Sequence, residues 1–397
     1  MARIFSLLST TTLLAFGIWG CMKKRVESTI QTFEHLNTTN DLPGDNIVLG
    51  HGQGLSYLPD LHDTFPNGVV YVGGAWGQIY AINAISGEEI WGSRTYNIDA
   101  SPIVADGIVF VGSTNHFLHA FDAKSGELVW NESVGGEVFS SPVEAGGIVY
   151  VGSGRYLRAL DAKSGNMVWF FETEAEVSSG LVVADGIVYV GVGNHHLYAI
   201  DAISGHEVWN YKTEGEISSG NPVVADGIVY LGNLDKYLYA HDAKSGELVW
   251  KYKTEGKILF SPVVADGIVY VGSFYDHLYA INAKSGEKVW KFKAIHYNGF
   301  SELFVADGIV YAKNLDAFLY GLNAKSGEKV WQYFVGNSGD DKAGPVVANG
   351  IVYIWSEGHL NAIAINSPHD EKVWKFKTEY LRSNPTVVLT KLPETSH

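Results

Sequence analysis

The chain of 397 residues contains a single cysteine, Cys21, so it can form no intrachain disulfide and no cysteine-based metal cluster. Basic residues are scarce as well. There are 28 Lys and Arg against 43 Asp and Glu, a formal net charge of −15. Nucleic-acid binding needs a basic face that displaces counterions from phosphate, so that class of partner is excluded. Charged residues reach only 18% while hydrophobic residues make up 46%, a balance that builds a core and argues against extended disorder. No HExxH or Ser/His/Asp arrangement stands out.

The N-terminus has its own pattern. Arg3, the apolar run "IFSLLSTTTLLAFGIWG", Cys21 and the basic "MKKR" have the layout of an export signal. Residues 18–21, "IWGC", resemble a bacterial lipobox, although Trp19 stands where a small residue is usual. The resemblance implies that residues 1–21 are a signal and that Cys21 is lipidated, each buried methylene adding about 0.8 kcal/mol of membrane affinity. The alternative is an uncleaved signal anchor in which Cys21 is an incidental thiol. Both readings export the chain, to the periplasm or the cell surface.

Residues 22–66 read as a mostly irregular tether, with a short helix around Lys24–Leu36 as an option, and residues 393–397 as a tail. Between them, residues 67–392 are periodic. The markers are Trp91, Trp130, Trp169, Trp209, Trp250, Trp290, Trp331 and Trp374, spaced 39 to 43 residues apart. Each unit reads as four strands, as in "SPVVADGIVYVGSFYDHLYAINAKSGEKVWKFK" from Ser261. "PVVA" and "IVYVG" are joined by Asp266-Gly267, suited to a type I′ turn, and a second hairpin turns at Ser285-Gly286. Lysines on the outer strand discourage edge-to-edge pairing.

Four short strands repeated every 40 residues or so predict an all-β fold, an eight-bladed propeller of four-stranded antiparallel blades. "SNPTVVL" at Ser383 is a first strand without a partner and "GVVYVGG" at Gly68 a second strand without one; their pairing would close the ring. A competing source for that inner strand is "LSYLPDL" near Tyr57. A transmembrane barrel would need strands of about 10 residues with an apolar outer band, which these lack.

The run "AINAKSGEKVW", Ala280 to Trp290, resembles the tryptophan-docking motif of the pyrroloquinoline quinone (PQQ) repeat family, and it recurs eight times. The resemblance implies that each tryptophan packs against the neighbouring blade. It leads to two functional groups: quinoprotein dehydrogenases, and lipid-anchored scaffolds similar to BamB-type outer-membrane assembly lipoproteins. The dehydrogenases place PQQ and Ca²⁺ in the central channel, usually under a disulfide that one cysteine cannot make, and no CxxCH haem segment is present. Aligned on the inner-strand proline, Asn97, Glu137, Glu176, Lys257, Asn298, Asp340 and Tyr380 share a site at one channel mouth, with Glu216 nearby. Glu137, Glu176, Glu216 and Asp340 are the candidates for a calcium-bound cofactor, which takes 6–8 oxygen ligands. Solvated turn glutamates are the simpler account.

The "ADG" and "KSGE" turns are nearly uniform and fall on one face; the other face carries loops that differ in every copy. Binding residues concentrate on such loops. The partner-binding candidates are Trp76, Phe117, Arg155, Tyr156, His196, Tyr237, Tyr275, His277 and Arg382. The histidines sit in different blades and read as surface or turn residues, with no metal site. The sequence therefore predicts an exported, lipid-anchored, monomeric propeller without catalytic residues, which needs no cofactor and binds a protein partner of an envelope complex. A PQQ-dependent dehydrogenase or PQQ-binding protein is the alternative, and a glycan-binding or adhesion module the second.

Overall fold

The computed structural model describes residues 46–49, 68–74, 77–98, 100–217, 220–275, 277–294, 299–314, 318–336, 344–348, 350–356, 359–364, 372–377 and 386–390. Cys21, the Lys24–Leu36 stretch, the segment around Tyr57, Trp76, Asn298, Asp340, Tyr380 and Arg382 lie outside them. The described residues are all-β, in eight antiparallel sheets that follow one another in chain order. Blade 3 is representative: Val143–Ala145 innermost, then Ile148–Ser153, Tyr156–Asp161 and Met167–Glu172 at the rim. Neighbouring inner strands approach one another all the way around, from Ile103–Ala105 of blade 2 through Val346–Ala348 of blade 8 to Thr386–Thr390 and back. The result is an eight-bladed propeller.

Closure follows the predicted route. Thr386–Thr390 supplies the inner strand of blade 1, with Val388 opposite Val69 and Thr386 opposite Tyr71. Asn46–Leu49 pairs with the other side of that strand, Ile47 opposite Leu389, so this sheet has five strands. The stretch read as tether thus contributes one strand.

Local sequence explains the hairpins. Asp106, Asp185, Asp226, Asp266 and Asp307 have φ of 48° to 50° and each is followed by a positive-φ glycine, the geometry a type I′ turn requires. In the second hairpin an Asp or Asn carboxyl or amide oxygen caps the turn; Asp122 Oδ1 accepts from the amides of Lys124 and Ser125 at 3.0 and 2.8 Å. Gly126 follows at φ 72°, and a Cβ there would lie 2.6 Å from the Trp91 ring of the preceding blade. That ring needs a bare backbone beneath it.

The core lies between blades. One cluster joins Val69, Tyr71 and Trp91 of blade 1 to Val109, Val111 and Phe121 of blade 2, and another joins blades 7 and 8 to Val70 and Ile82 of blade 1. A single repeat therefore cannot bury its apolar faces without its neighbours. Polar pairing fixes the same joints. Among the described residues, the indole N–H of every marker tryptophan except Trp331 donates to an alanine carbonyl of the next blade at 2.8–3.0 Å, for example Trp169 to Ala202 and Trp374 to Ala84. Six of these carbonyls also accept a tyrosine hydroxyl from the second strand, such as Tyr150 on Ala202 at 3.1 Å. Blade 2 has Phe110 at that site, so Ala162 receives Trp130 alone.

Candidate interaction face

Antiparallel pairing puts the turns between second and third strands on one face with the connections that lead from blade to blade. Backbone hydrogen bonds hold those turns. The carbonyls of His116, Arg155, His195 and Lys236 accept from Val134, Thr173, Thr213 and Thr254, at 2.7–2.9 Å. Four turn residues, His116, His195, Lys236 and Tyr275, have φ of 72° to 76° although none is glycine. Left-handed backbone is uncommon for such side chains, and it sets the direction in which each is displayed.

The candidates fare differently. Tyr275 is 58% exposed and stands edge-on to Phe274 at 5.9 Å. Tyr156 is half-buried, with the Arg158 guanidinium 4.5 Å above its ring, and the Lys251 ammonium is 4.7 Å above Tyr237. Arg155 bonds to the Thr173 carbonyl at 3.3 Å and lies 3.9 Å from Glu172. Phe117 and His196 are half-buried against His119 and Tyr198. His277 is a correction: it is 7% exposed, packed on Tyr279 with Nδ1 3.5 Å from Glu255, so its ring is not available on the surface. In the connections between blades, two exposed aromatics stand outside the sequence-derived candidates, Tyr96 and Phe139. Phe139 follows buried Val138 where the corresponding connections carry serine after a buried Val177 or Ile217, and that contrast was the available signal.

The face is also acidic, since Glu137, Glu174, Glu176, Glu214, Glu216 and Glu255 are all exposed. The model of the family described as "Outer membrane protein assembly factor BamB" matches residues 75–175, 153–259 and 216–390. The chain belongs to the BamB family. Among solved structures, BamB from Moraxella catarrhalis has a TM-score of 0.63 at 17% identity, covering 88% of this chain and 99% of that one. The computationally designed Ika8 protein reaches 0.63 at 15% identity over 83% and 96% of the two chains. A quinohemoprotein alcohol dehydrogenase, ADHIIG from Pseudomonas putida HK5, reaches 0.61 at 14% over 88% and 76%. These likenesses carry the fold alone. No curated protein sequence matches.

The fold is shared with a quinohemoprotein dehydrogenase, so the chemistry of the acidic candidates in this BamB-family chain decides what they can hold. Glu137, Glu176 and Glu216 point into solvent, and what the fold uses is their backbone: their carbonyls accept from Gly154, Gly193 and Leu234 at 3.0–3.3 Å. Among the described residues no three His, Cys, Asp or Glu side chains converge to hold a metal ion. The described inner strands are rich in valine, and Glu144, on the inner strand of blade 3, has a carboxyl raised by burial and accepts from the Gly147 amide at 2.7 Å, so it serves its own turn. Among the described residues, Glu137, Glu176 and Glu216 do not form a calcium-bound quinone site; Asp340 lies outside them.

Proposed function

We propose that this protein is a non-catalytic, extracytoplasmic scaffold, lipid-anchored through Cys21 and monomeric in its propeller, which holds a protein partner in outer-membrane protein assembly. The partner sits on the variable face. One observation carries the reading: exposed aromatics, Phe139 and Tyr275 foremost, stand on a face whose turns are tied by backbone hydrogen bonds, a preorganised surface of the residue type that dominates binding energy. The family description and the acidic rim of this face support a partner that is apolar at its centre and basic around it.

The test is photocrosslinking in the native envelope, with a photoreactive phenylalanine replacing Phe139 or Tyr275 and, as control, Lys163 on the uniform face. Adducts to one outer-membrane assembly protein from the first two sites and none from the third are expected. The double variant Phe139→Ser/Tyr275→Ser weakens that partner by about tenfold or more. Saturable binding of PQQ with Ca²⁺ at one site per chain, or binding of wall glycans in place of protein, overturns the reading. Acyl-chain mass on a peptide beginning at Cys21 checks the anchor, and its absence returns the chain to an uncleaved signal anchor.

A further inference from the structure

Among the described residues every blade ends in an outer strand with no strand paired to its far edge, and the eight copies can be compared position by position. In blades 5 to 8 the outer strands read "LVWKYK", "KVWKFK", "KVWQYF" and "KVWKFK". Lysine on an edge strand blocks the approach of another strand, because pairing would strip its ammonium of water. Blades 2 and 3 read "LVWNES" and "MVWFFE", without Lys or Arg. The rim is thus divided into a basic sector and an acidic one.

Blade 3 goes furthest. Phe170 occupies the position held by Asn131, Asn210, Lys251, Lys291 and Lys375 in other blades, and it is 62% exposed. Met167 and Val168 beside it are exposed too, and Glu172 stands where Lys253, Lys293 and Lys377 stand elsewhere. Backing is firm: Tyr156 meets Phe170 edge-on at 6.1 Å, and Arg158 and Tyr156 pair across the ladder with Phe170 and Glu172. Acid marks both ends of the edge. Glu172 closes it, its side chain 56% exposed although Arg155 lies 3.9 Å away, and Glu132 of blade 2 lies against Gly165, two residues before Met167, where a Cβ would come 3.1 Å from its Cγ.

We infer that the outer strand of blade 3, Met167–Glu172, is a docking edge for an extended segment of another protein, which adds as a fifth strand. Charge complementarity sets the occupant's chemistry: apolar residues at alternate positions over Val168 and Phe170, and Lys or Arg at both ends to face Glu132 and Glu172. Main-chain hydrogen bonds supply the affinity and the apolar and charged contacts the selectivity. The edge lies at the rim and holds whether or not the variable face carries a partner.

The probe is a dye-labelled peptide, Lys-Thr-Val-Thr-Val-Thr-Lys, titrated against the full chain by fluorescence anisotropy, with amide hydrogen exchange measured in parallel. Saturable, salt-weakened binding is expected, with protection confined to residues 167–172. Methylating alternate backbone amides of the peptide abolishes binding, and exchanging its lysines for glutamates weakens it by about tenfold. Phe170→Lys/Glu172→Lys rewrites the edge as its counterparts in blades 6 and 8 and removes binding. Because Arg158 lies opposite Phe170, Phe170→Asn, the residue of blades 2 and 4, serves as the second variant, and weakened binding with an unchanged melting temperature is expected. Binding that tolerates N-methylation, protection on the variable face, or no binding overturns the proposal. So does a concentration-dependent doubling of mass that protects the same amides without peptide, since the edge would then serve a second copy of this chain.

Discussion

Phe110→Tyr tests the account of how the blades are joined. In six joints an alanine carbonyl accepts both an indole N–H and a tyrosine hydroxyl, whereas Ala162 receives only Trp130, at 2.9 Å. The rings are placed alike: Phe110 and Trp130 have centroids 5.8 Å apart at 47°, and so do Tyr150 and Trp169. A hydroxyl added to Phe110, which is fully buried, therefore projects at the open lone pair of Ala162, as the Tyr150 hydroxyl does at Ala202. One net hydrogen bond contributes about 1 kcal/mol, which in a chain this size raises the melting temperature by about 2 °C. The mirror change Tyr150→Phe loses about as much. Calorimetric melting and urea titration measure both, and alkaline titration reports the geometry, because burial pushes the Tyr150 hydroxyl up to about 12 and the introduced phenol should resist ionisation likewise. If Phe110→Tyr destabilises, or the new phenol ionises near 10, the shared-carbonyl joint is wrong.

Two further perturbations probe burial and backbone. His119 is buried, accepts or donates to Ser113 Oγ at 3.1 Å, and burial lowers its pKa to about 4 from an ordinary 6.5. Its folded form binds a proton less readily than its unfolded form, so its contribution is complete above pH 6.5, declines as pH falls towards 4 and is flat below; the upper bound is about 3 kcal/mol. Urea midpoints against pH should show that slope and lose most of it in His119→Tyr, tyrosine being the residue at the equivalent sites 198, 239, 279 and 320. Gly126→Ala forces a Cβ into the Trp91 ring as well as into positive φ and should cost several kcal/mol, with a shift in indole fluorescence. Gly107→Ala, at φ 74° but with open space around it, should cost about 1 kcal/mol. Equal losses at the two glycines would remove the tryptophan from the explanation.

Most of the fold could be read because its signals are local and repeated. Asp266-Gly267 sets a turn through two adjacent backbones, and a tryptophan every 40 residues or so counts blades without knowledge of any contact. The strand Asn46–Leu49 escaped since four residues in polar surroundings have no repeat to corroborate them, and its partner lies some 340 residues away at Thr386–Thr390. Sharing of the Ala202 carbonyl joins Tyr150 and Trp169 across blades, and nothing in either hairpin announces it. Site residues were less legible still. The variable turn at His277 suggests an exposed ring, yet that ring packs beside Tyr279 and Glu255 of the preceding connection, an arrangement that depends on the register of two strands. The same register turns Val138 inward and Phe139 outward, which a loop read as plain sequence does not disclose.

Eight copies of one supersecondary unit act as mutual controls, and blade 3 violates their rules at several depths. Its inner strand has Glu144 where the seven other blades have valine, and the carboxylate is partly buried, taking the Gly147 amide at 2.7 Å. The turn that follows has Gly146 in place of aspartate. In its third strand Arg158 replaces an aromatic or polar residue, and its outer strand exposes Phe170 in place of Asn or Lys. Each alternative is already accepted by the same backbone elsewhere in the molecule, so the fold does not require any of these choices. A partly buried acid and an exposed phenylalanine are both unfavourable to stability, solubility or both. Local rules broken without a structural gain are expected where a surface does something else. Converting blade 3 to the consensus of its neighbours should therefore raise stability while abolishing strand capture at its rim; a consensus blade that still captures the strand would place the binding outside blade 3.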